Sequence, residues 1–167
     1  FQFGASSLFV NSGYIASTTA LGGSGVGTGD FCIEGWFYAT STTSRGLFDS
    51  ILAGSANGIA AGWDQASGNW QVYFGGSVYT GAGSPPLNTQ THHALQRTGT
   101  SCTLSIGGVA VVTFTSSANL TQTSMNIGAY FNSSFPTVGY QDECRCTLAT
   151  RYLSFPFTPP TAAFPNS

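Results

Sequence analysis

Asp30, Glu34, Asp49, Asp64, Asp142 and Glu143 are the only carboxylates of this chain, and His92 and His93 its only imidazoles. Cleavage of a glycosidic bond needs two carboxyl groups flanking the bond, one as acid or base and one as nucleophile or second base. On a strand, alternate side chains share a face, so the adjacent Asp142 and Glu143 point apart. Asp30 and Glu34 form no obvious same-face pair either. Ser–His–Asp chemistry lacks a G-x-S-x-G elbow, and two neighbouring histidines on a strand simply alternate between its faces. With no Lys in the chain, a P-loop is excluded as well. These residues predict no catalytic centre.

Cys32, Cys102, Cys144 and Cys146 leave three readings open. They act as small buried hydrophobes, as disulfides if the protein lies outside a cell, or with His92 and His93 as zinc ligands. The last ranks third, because Cys144 and Cys146 are closer than the C-x₂-C spacing of structural zinc sites.

The elements that must carry these residues follow from composition. The 167 residues fit one domain, 1–167. Thirteen Phe, 22 Gly and only two Glu point to strands and tight turns rather than helices. Only 6 % of residues are charged, with four Arg as the sole cationic side chains apart from His, so no basic patch can track a phosphate backbone. No run of about 18 apolar residues suggests a membrane span. The chain begins at Phe1 rather than Met, from which an upstream segment is expected. A surface of hydroxyls and amides suits an extracellular or virion-exterior protein packed among its own copies.

Short apolar or alternating runs bounded by turn residues place strands at 7–10, 14–16, 31–38, 46–53, 58–63, 109–115, 125–129 and 139–146. Two hairpins are expected: 69–74 with 77–79 around Gly75-Gly76, and 92–97 with 102–106. In the 31–38 strand, Phe31, Ile33, Gly35 and Phe37 share one face, and Cys32, Glu34, Trp36 and Tyr38 the other. Residues 22–29 read as a connector. The tail 155–167 carries Pro156, Pro159, Pro160 and Pro165, which cannot sit inside a sheet, so it is expected to run as an extended strap. The sum is an all-β, two-sheet antiparallel β-sandwich or jelly roll.

Several stretches resemble the laminin-G-like family of the concanavalin-A-like lectin and glucanase superfamily. The run from Phe3 to Val10 followed by Ser12-Gly13-Tyr14-Ile15 is similar to its first hairpin. Gly27-Thr28-Gly29-Asp30-Phe31-Cys32-Ile33-Glu34-Gly35-Trp36-Phe37-Tyr38 resembles its G-x-G-D-F-T-I-E-x-W-V-Y strand. Gly46-Leu47-Phe48-Asp49-Ser50 matches a recurring segment after it. His92-His93-Ala94-Leu95-Gln96-Arg97 resembles W-x-H-x-A-L-x-R without the Trp. Thr103-Leu104-Ser105-Ile106-Gly107-Gly108-Val109 resembles L-x-V-N-G-V. Gly139-Tyr140-Gln141-Asp142-Glu143-Cys144-Arg145 resembles G-Y-I-D-E-V-R. The ending, Ala149-Thr150-Arg151-Tyr152 and then Phe157-Thr158-Pro159-Pro160-Thr161-Ala162-Ala163-Phe164-Pro165, is similar to the tail of such modules in bacteriophage structural proteins.

The resemblance implies a concanavalin-A-like jelly roll and a set of site expectations. The 31–38 and 139–146 segments pair in the family, which sets a Glu34–Glu143 carboxylate pair against a Glu34–Arg145 ion pair, the second preferred. Relatives hold Ca²⁺ near a sheet edge, and Asp30 and Asp142 are its candidate ligands here, with Asp49 and Asp64 behind them. For sugar binding the candidates are Trp63, Asp64, Gln65 and Asn69 around a loop, with Tyr73, Tyr79 and Tyr130 as further rings and Trp36 and Trp70 assigned to the core. Asn119 and Asn132 fit the glycosylation triplet. The function expected is a non-catalytic virion-surface module (capsid decoration, head fibre or tail fibre) that adheres to host or environmental glycans. Its partners would be other virion or assembly subunits, as a homo-oligomer, and cell-surface glycans, with no nucleic acid and no membrane insertion. The alternative is a purely structural subunit without a ligand.

Overall fold

The computed structural model describes residues 14–17, 21, 24–43, 46–51, 56–130 and 134–164, and the backbone of 8–10. The connector at Gly22 and Gly23, Arg45 and the triplet residue Asn132 lie outside the described residues. Strands follow the alternating runs closely: β1 (Leu8–Val10), β2 (Ile15–Ser17), β3 (Phe31–Ala39), β4 (Gly46–Asp49), β5 (Ile59–Trp63), β6 (Trp70–Phe74), β7 (Ser77–Gly81), β8 (Thr91–Thr98), β9 (Ser101–Ile106), β10 (Val109–Thr115), β11 (Met125–Ile127) and β12 (Gly139–Thr147). No helix of the described residues is long and apolar enough to cross a membrane.

The strands form two six-stranded antiparallel sheets, with orders β1-β12-β3-β8-β9-β10 and β2-β11-β4-β5-β6-β7. Between them the inward rows of β3 (Phe31, Ile33, Phe37) and of β8 and β9 (Leu95, Cys102, Leu104) meet Ile59, Ala61, Trp63, Trp70, Val72 and Phe74 of the facing sheet. Each such large side chain contributes about 1.5–3 kcal/mol by leaving water. Both expected hairpins are present. Gly75-Gly76 and Gly107-Gly108 all have positive φ, as tight two-residue hairpin turns demand. The opening segment departs from expectation: β1 pairs with β12 and β2 with β11, so the two strands lie in different sheets and do not form a hairpin.

One irregularity sets the phase of the functional face. Along β12, Asp142 pairs with Trp36 and Arg145 with Glu34, so Glu143 and Cys144 together oppose the single residue Gly35. This is a β-bulge, and Glu143 takes a positive φ of 51° within it. Gly35 is required there, because a Cβ at this position would meet Cys144 Sγ at 2.9 Å and the His93 ring at 3.1 Å. The bulge brings Arg145 onto the outer face beside Glu34.

Candidate functional site

The outer face of the first sheet is built from alternate residues of its strands: Cys32, Glu34 and Trp36 of β3, His92, Ala94 and Gln96 of β8, and Ser101 and Thr103 of β9. At its centre Glu34 is fully buried, and both carboxylate oxygens are occupied. Oε1 accepts from Arg145 Nε at 2.9 Å and forms an ion pair with Arg151, whose Nε lies 2.7 Å away. Oε2 accepts from His92 Nε2 at 3.1 Å and from the Tyr152 hydroxyl at 2.5 Å. Burial alone would raise this carboxyl, but the hydrogen bonds from His92, Tyr152 and Arg145 and the charge of Arg145 outweigh it and hold the pKa at about 2. The Tyr152 hydroxyl is pushed well above its ordinary value by burial and by Glu34. A carboxylate that is ionised at neutral pH, accepts from three donors and is paired with a second arginine has neither the proton of a general acid nor the open face of a nucleophile. The preferred Glu34–Arg145 ion pair is present, whereas Glu143 Oε2 accepts from the Phe164 amide at 2.7 Å.

Glu34 serves as an anchor for the segment after β12. Gln96 holds the same segment by its backbone: Oε1 accepts from the Arg151 and Tyr152 amides at 2.7 and 2.8 Å, and Nε2 donates to the Tyr152 carbonyl at 2.7 Å. The Phe157 ring stacks on Tyr152 with centroids 3.6 Å apart, and its amide donates to the Gly108 carbonyl at 3.0 Å. At the far end Arg145 lies over the Phe164 ring at 3.6 Å. The tail thus crosses the outer face from β8 to the β9–β10 turn and returns to β12.

Beside the tail a cleft of about 300 Å³ opens, lined by Gln96, Thr98, Ser101, Thr103, Thr150, Tyr152, Leu153 and Phe155. Its floor is β8 and β9, and its wall is the tail. Leu153 is 96 % exposed at the rim, and Phe155 packs edge-on against Phe157 at 5.6 Å. Thr150 Oγ1 donates to Asp30 Oδ2 at 3.1 Å, so the 2.8 Å contact between Thr98 and Thr150 is a donation from Thr98. Neither Ser101 nor Thr103 spends its hydroxyl on a partner among the described residues. No sequence motif marks this cleft. The signal available was the alternation Thr98, Ser101, Thr103 in the outward phase of two strands.

The residues expected to bind sugar are elsewhere. Trp63 is not loop-borne: it is fully buried at the end of β5, pairs with Trp70, and donates from Nε1 to the Thr42 carbonyl at 3.2 Å. The phase Ile59, Ala61, Trp63 already places it on the core face. Asp64 closes the β5–β6 turn, accepting from the Ser67 amide and hydroxyl at 3.0 and 2.8 Å. The Asn69 carbonyl accepts from the Asp64 amide at 2.8 Å, and Gln65 is exposed on the same turn. With Trp63 withdrawn, this turn has no aromatic platform. Tyr130 is buried in a cluster with Ile51 and Ala60 against which Tyr73 packs, and Tyr79 stacks on Phe114 at 3.9 Å. Trp70 is core, whereas Trp36 is buried on the opposite, outer face against His92.

The candidate calcium ligands are not brought together either. Asp142 pairs with Trp36, six positions along β3 from Asp30, or about 20 Å. Asp30 instead accepts from the Gly99 amide at 2.7 Å and from Thr150, and Asp142 Oδ1 accepts from the Glu143 amide at 3.0 Å. Asp49 is buried and accepts from the Ile51 amide. Asp30 and Asp142 therefore do not fit one shared ion. The histidines do alternate: His93 faces inward between Phe37 and Phe48, where burial and the neighbouring His92 push its pKa down to about 3 and keep it neutral. All four cysteines are free thiols. Asn119 is exposed in the loop after β10.

A laminin-G family model, described as Concanavalin A-like lectin/glucanases superfamily, matches residues 10–147. The chain belongs to this superfamily. The tail that walls the cleft lies beyond the matched residues. No curated protein sequence matches the chain closely enough to count as a relative. Among solved structures, it is similar to a candidate carbohydrate binding protein from Bacteroides ovatus (TM-score 0.70, 14 % identity, 87 % of this chain and 44 % of that one). It is also similar to domains LG4-5 of the mouse laminin α1 chain (TM-score 0.61, 19 % identity, 92 % and 46 %). A third is domain 4 of AbnA, a GH43 extracellular arabinanase from Geobacillus stearothermophilus, in complex with arabinotriose (TM-score 0.57, 18 % identity, 86 % and 75 %). The chain spans less than half the length of the first two. At these identities the likeness is one of fold.

Proposed function

We propose that this superfamily member is a non-catalytic carbohydrate-binding module that takes a glycan in the cleft between the β8–β9 face and the tail. The observation that carries the reading is the make-up of that cleft: hydroxyls on the floor, and aromatic and aliphatic side chains on the wall. Sugars present this pair of surfaces, a polar rim of hydroxyls and an apolar ring face. The arabinotriose complex of a similar fold supports the same reading. Catalysis is disfavoured because Glu34 is sealed by three hydrogen-bond donors and the Arg151 ion pair, and no carboxylate lines the cleft.

The module acts at a virion surface or in a comparable extracellular assembly, where many copies turn weak single-site binding into avidity. The low charge of the chain and the likeness of its tail to phage structural modules support this placement. The exposed Leu153 and Leu148 on the tail favour the second reading, a structural subunit that uses the tail against neighbouring subunits without a ligand. A glycan array probed with the purified, folded domain, first with calcium and then with chelator, tests the two. Binding that persists in chelator is expected, since no carboxylate lines the cleft. Binding lost in chelator would move the site to an acidic group such as Asp30 or Asp142. No binding in either condition would leave the structural subunit.

A further inference from the structure

We infer that the cleft takes uncharged saccharides and excludes anionic ones, and that the bound chain runs on from it across β10. This rests on the glycan-binding reading and assigns its ligand class and its path.

All eight residues lining the cleft are uncharged. An anionic sugar, whether sialylated, sulfated or uronic, would leave water for a site without a cation to receive it, and a desolvated charge without a partner is strongly disfavoured. The cations of the neighbourhood are already committed. Arg145 and Arg151 are ion-paired with Glu34. Arg97, on the inner side of β8, gives its guanidinium to the carbonyls of Gly27, Gly29 and Ala118. What the cleft offers is what a neutral sugar needs. The unspent hydroxyls of Ser101 and Thr103 can each donate and accept, and Leu153 and Phe155 give an apolar surface for a ring face.

The path follows from register. Thr103 pairs with Thr113 and Ser101 with Thr115 on the edge strand β10, and both of these threonines are exposed. The floor therefore continues outward as a ledge of hydroxyls in two rows, Thr103–Thr113 beside the tail-bound Gln96 and Thr98–Ser101–Thr115. Cross-strand neighbours on one face lie about 5 Å apart, so the ledge runs across the strands to β10, the last strand of the sheet. A saccharide seated against Leu153 and Phe155 meets successive hydroxyls along this line.

The test is an array carrying neutral, sialylated, sulfated and uronate glycans, followed by titration of the best neutral hit at low and high salt. The proteins are the wild type, Thr103→Val, Thr113→Val and Leu153→Ser, each shown by its melting curve to be folded. Neutral glycans alone should bind, with affinity unchanged by salt. Thr103→Val and Leu153→Ser should each weaken binding about tenfold, the scale of one lost hydrogen bond or apolar contact. Thr113→Val should weaken binding of longer chains and leave the shortest bound oligomer unaffected. Salt-sensitive binding of an anionic glycan would overturn the ligand class while leaving glycan binding standing. Neutral binding that ignores Thr103→Val and Leu153→Ser would overturn the site, and equal loss for short and long chains in Thr113→Val would overturn the path. No binding to any glycan would overturn the functional reading on which the inference rests.

Discussion

Replacing Glu34 by Gln keeps the shape of the side chain and removes its charge, which isolates what the anchor of the tail contributes. In the native protein the carboxyl moves from its ordinary 4.5 to about 2, and that change corresponds to about 3 kcal/mol of stabilisation at neutral pH. The structural estimate is similar. Breaking a buried ion pair from one side costs about 3–5 kcal/mol, and the side chains of Arg145 and Arg151 keep 19 % and 34 % exposure, so water softens their loss toward the lower figure. For a chain of this length about 3 kcal/mol lowers Tm by about 6–12 °C. Because the folded pKa is depressed, the contribution is complete above the ordinary 4.5 and is lost as pH falls toward 2. Thermal or urea unfolding of wild type and Glu34→Gln across this window should give the full gap at pH 7 and convergence near the bottom of the window, where the wild-type glutamate is itself protonated. The other carboxylates are common to both proteins and cancel. Equal stability at pH 7, or a gap that stays constant to pH 2, would refute the assignment of Glu34 as an ionised anchor.

Other perturbations separate tail, core and site. Gly108→Ala should release the tail, because a Cβ there would run into the Phe157 carbonyl and the residue sits at φ +83°; amide hydrogen exchange at 150–157 should rise sharply while the two sheets stay protected. Trp63→Ala should act through the core, costing about 3–5 kcal/mol in urea unfolding, and wherever the folded protein persists its glycan binding should survive. Arg97→Lys should not rescue Arg97→Ala in stability, since an ammonium cannot reproduce the fork that reaches three carbonyls. Burial pushes the thiols of Cys102 and Cys146 up to about 11, so both should resist a thiol reagent at pH 8 until denaturant is added, as read by the rate of colour release.

How far the sequence reaches can be judged strand by strand. Alternation and glycine-marked turns were enough for the two sheets, because a side-chain period of two with one buried face leaves few choices of register. Phe31, Ile33 and Phe37 were legible as core for this reason, and the alternation of His92 and His93 followed from the same rule. Trp63 was misplaced because residue type was weighted above phase: an aromatic next to a turn resembles a platform, yet its row with Ile59 and Ala61 points inward. The β12 bulge was invisible in the sequence. It depends on Gly35 in the facing strand leaving room for Cys144, a contact between residues more than a hundred positions apart in the chain.

The sequence by itself determined the all-β sandwich, the absence of a same-strand carboxylate pair and a surface poor in charge, because these depend on composition and local period. Only the tertiary structure decided where a ligand could sit. The cleft exists because the tail is fastened across an outer face by Glu34 and Gln96, whose partners Arg145, Arg151 and Tyr152 come from the far end of the chain. Strand patterning encodes which residues face out. Which of those outward residues a distant segment then covers depends on long-range hydrogen bonds and charge pairing, and these have no local period to read.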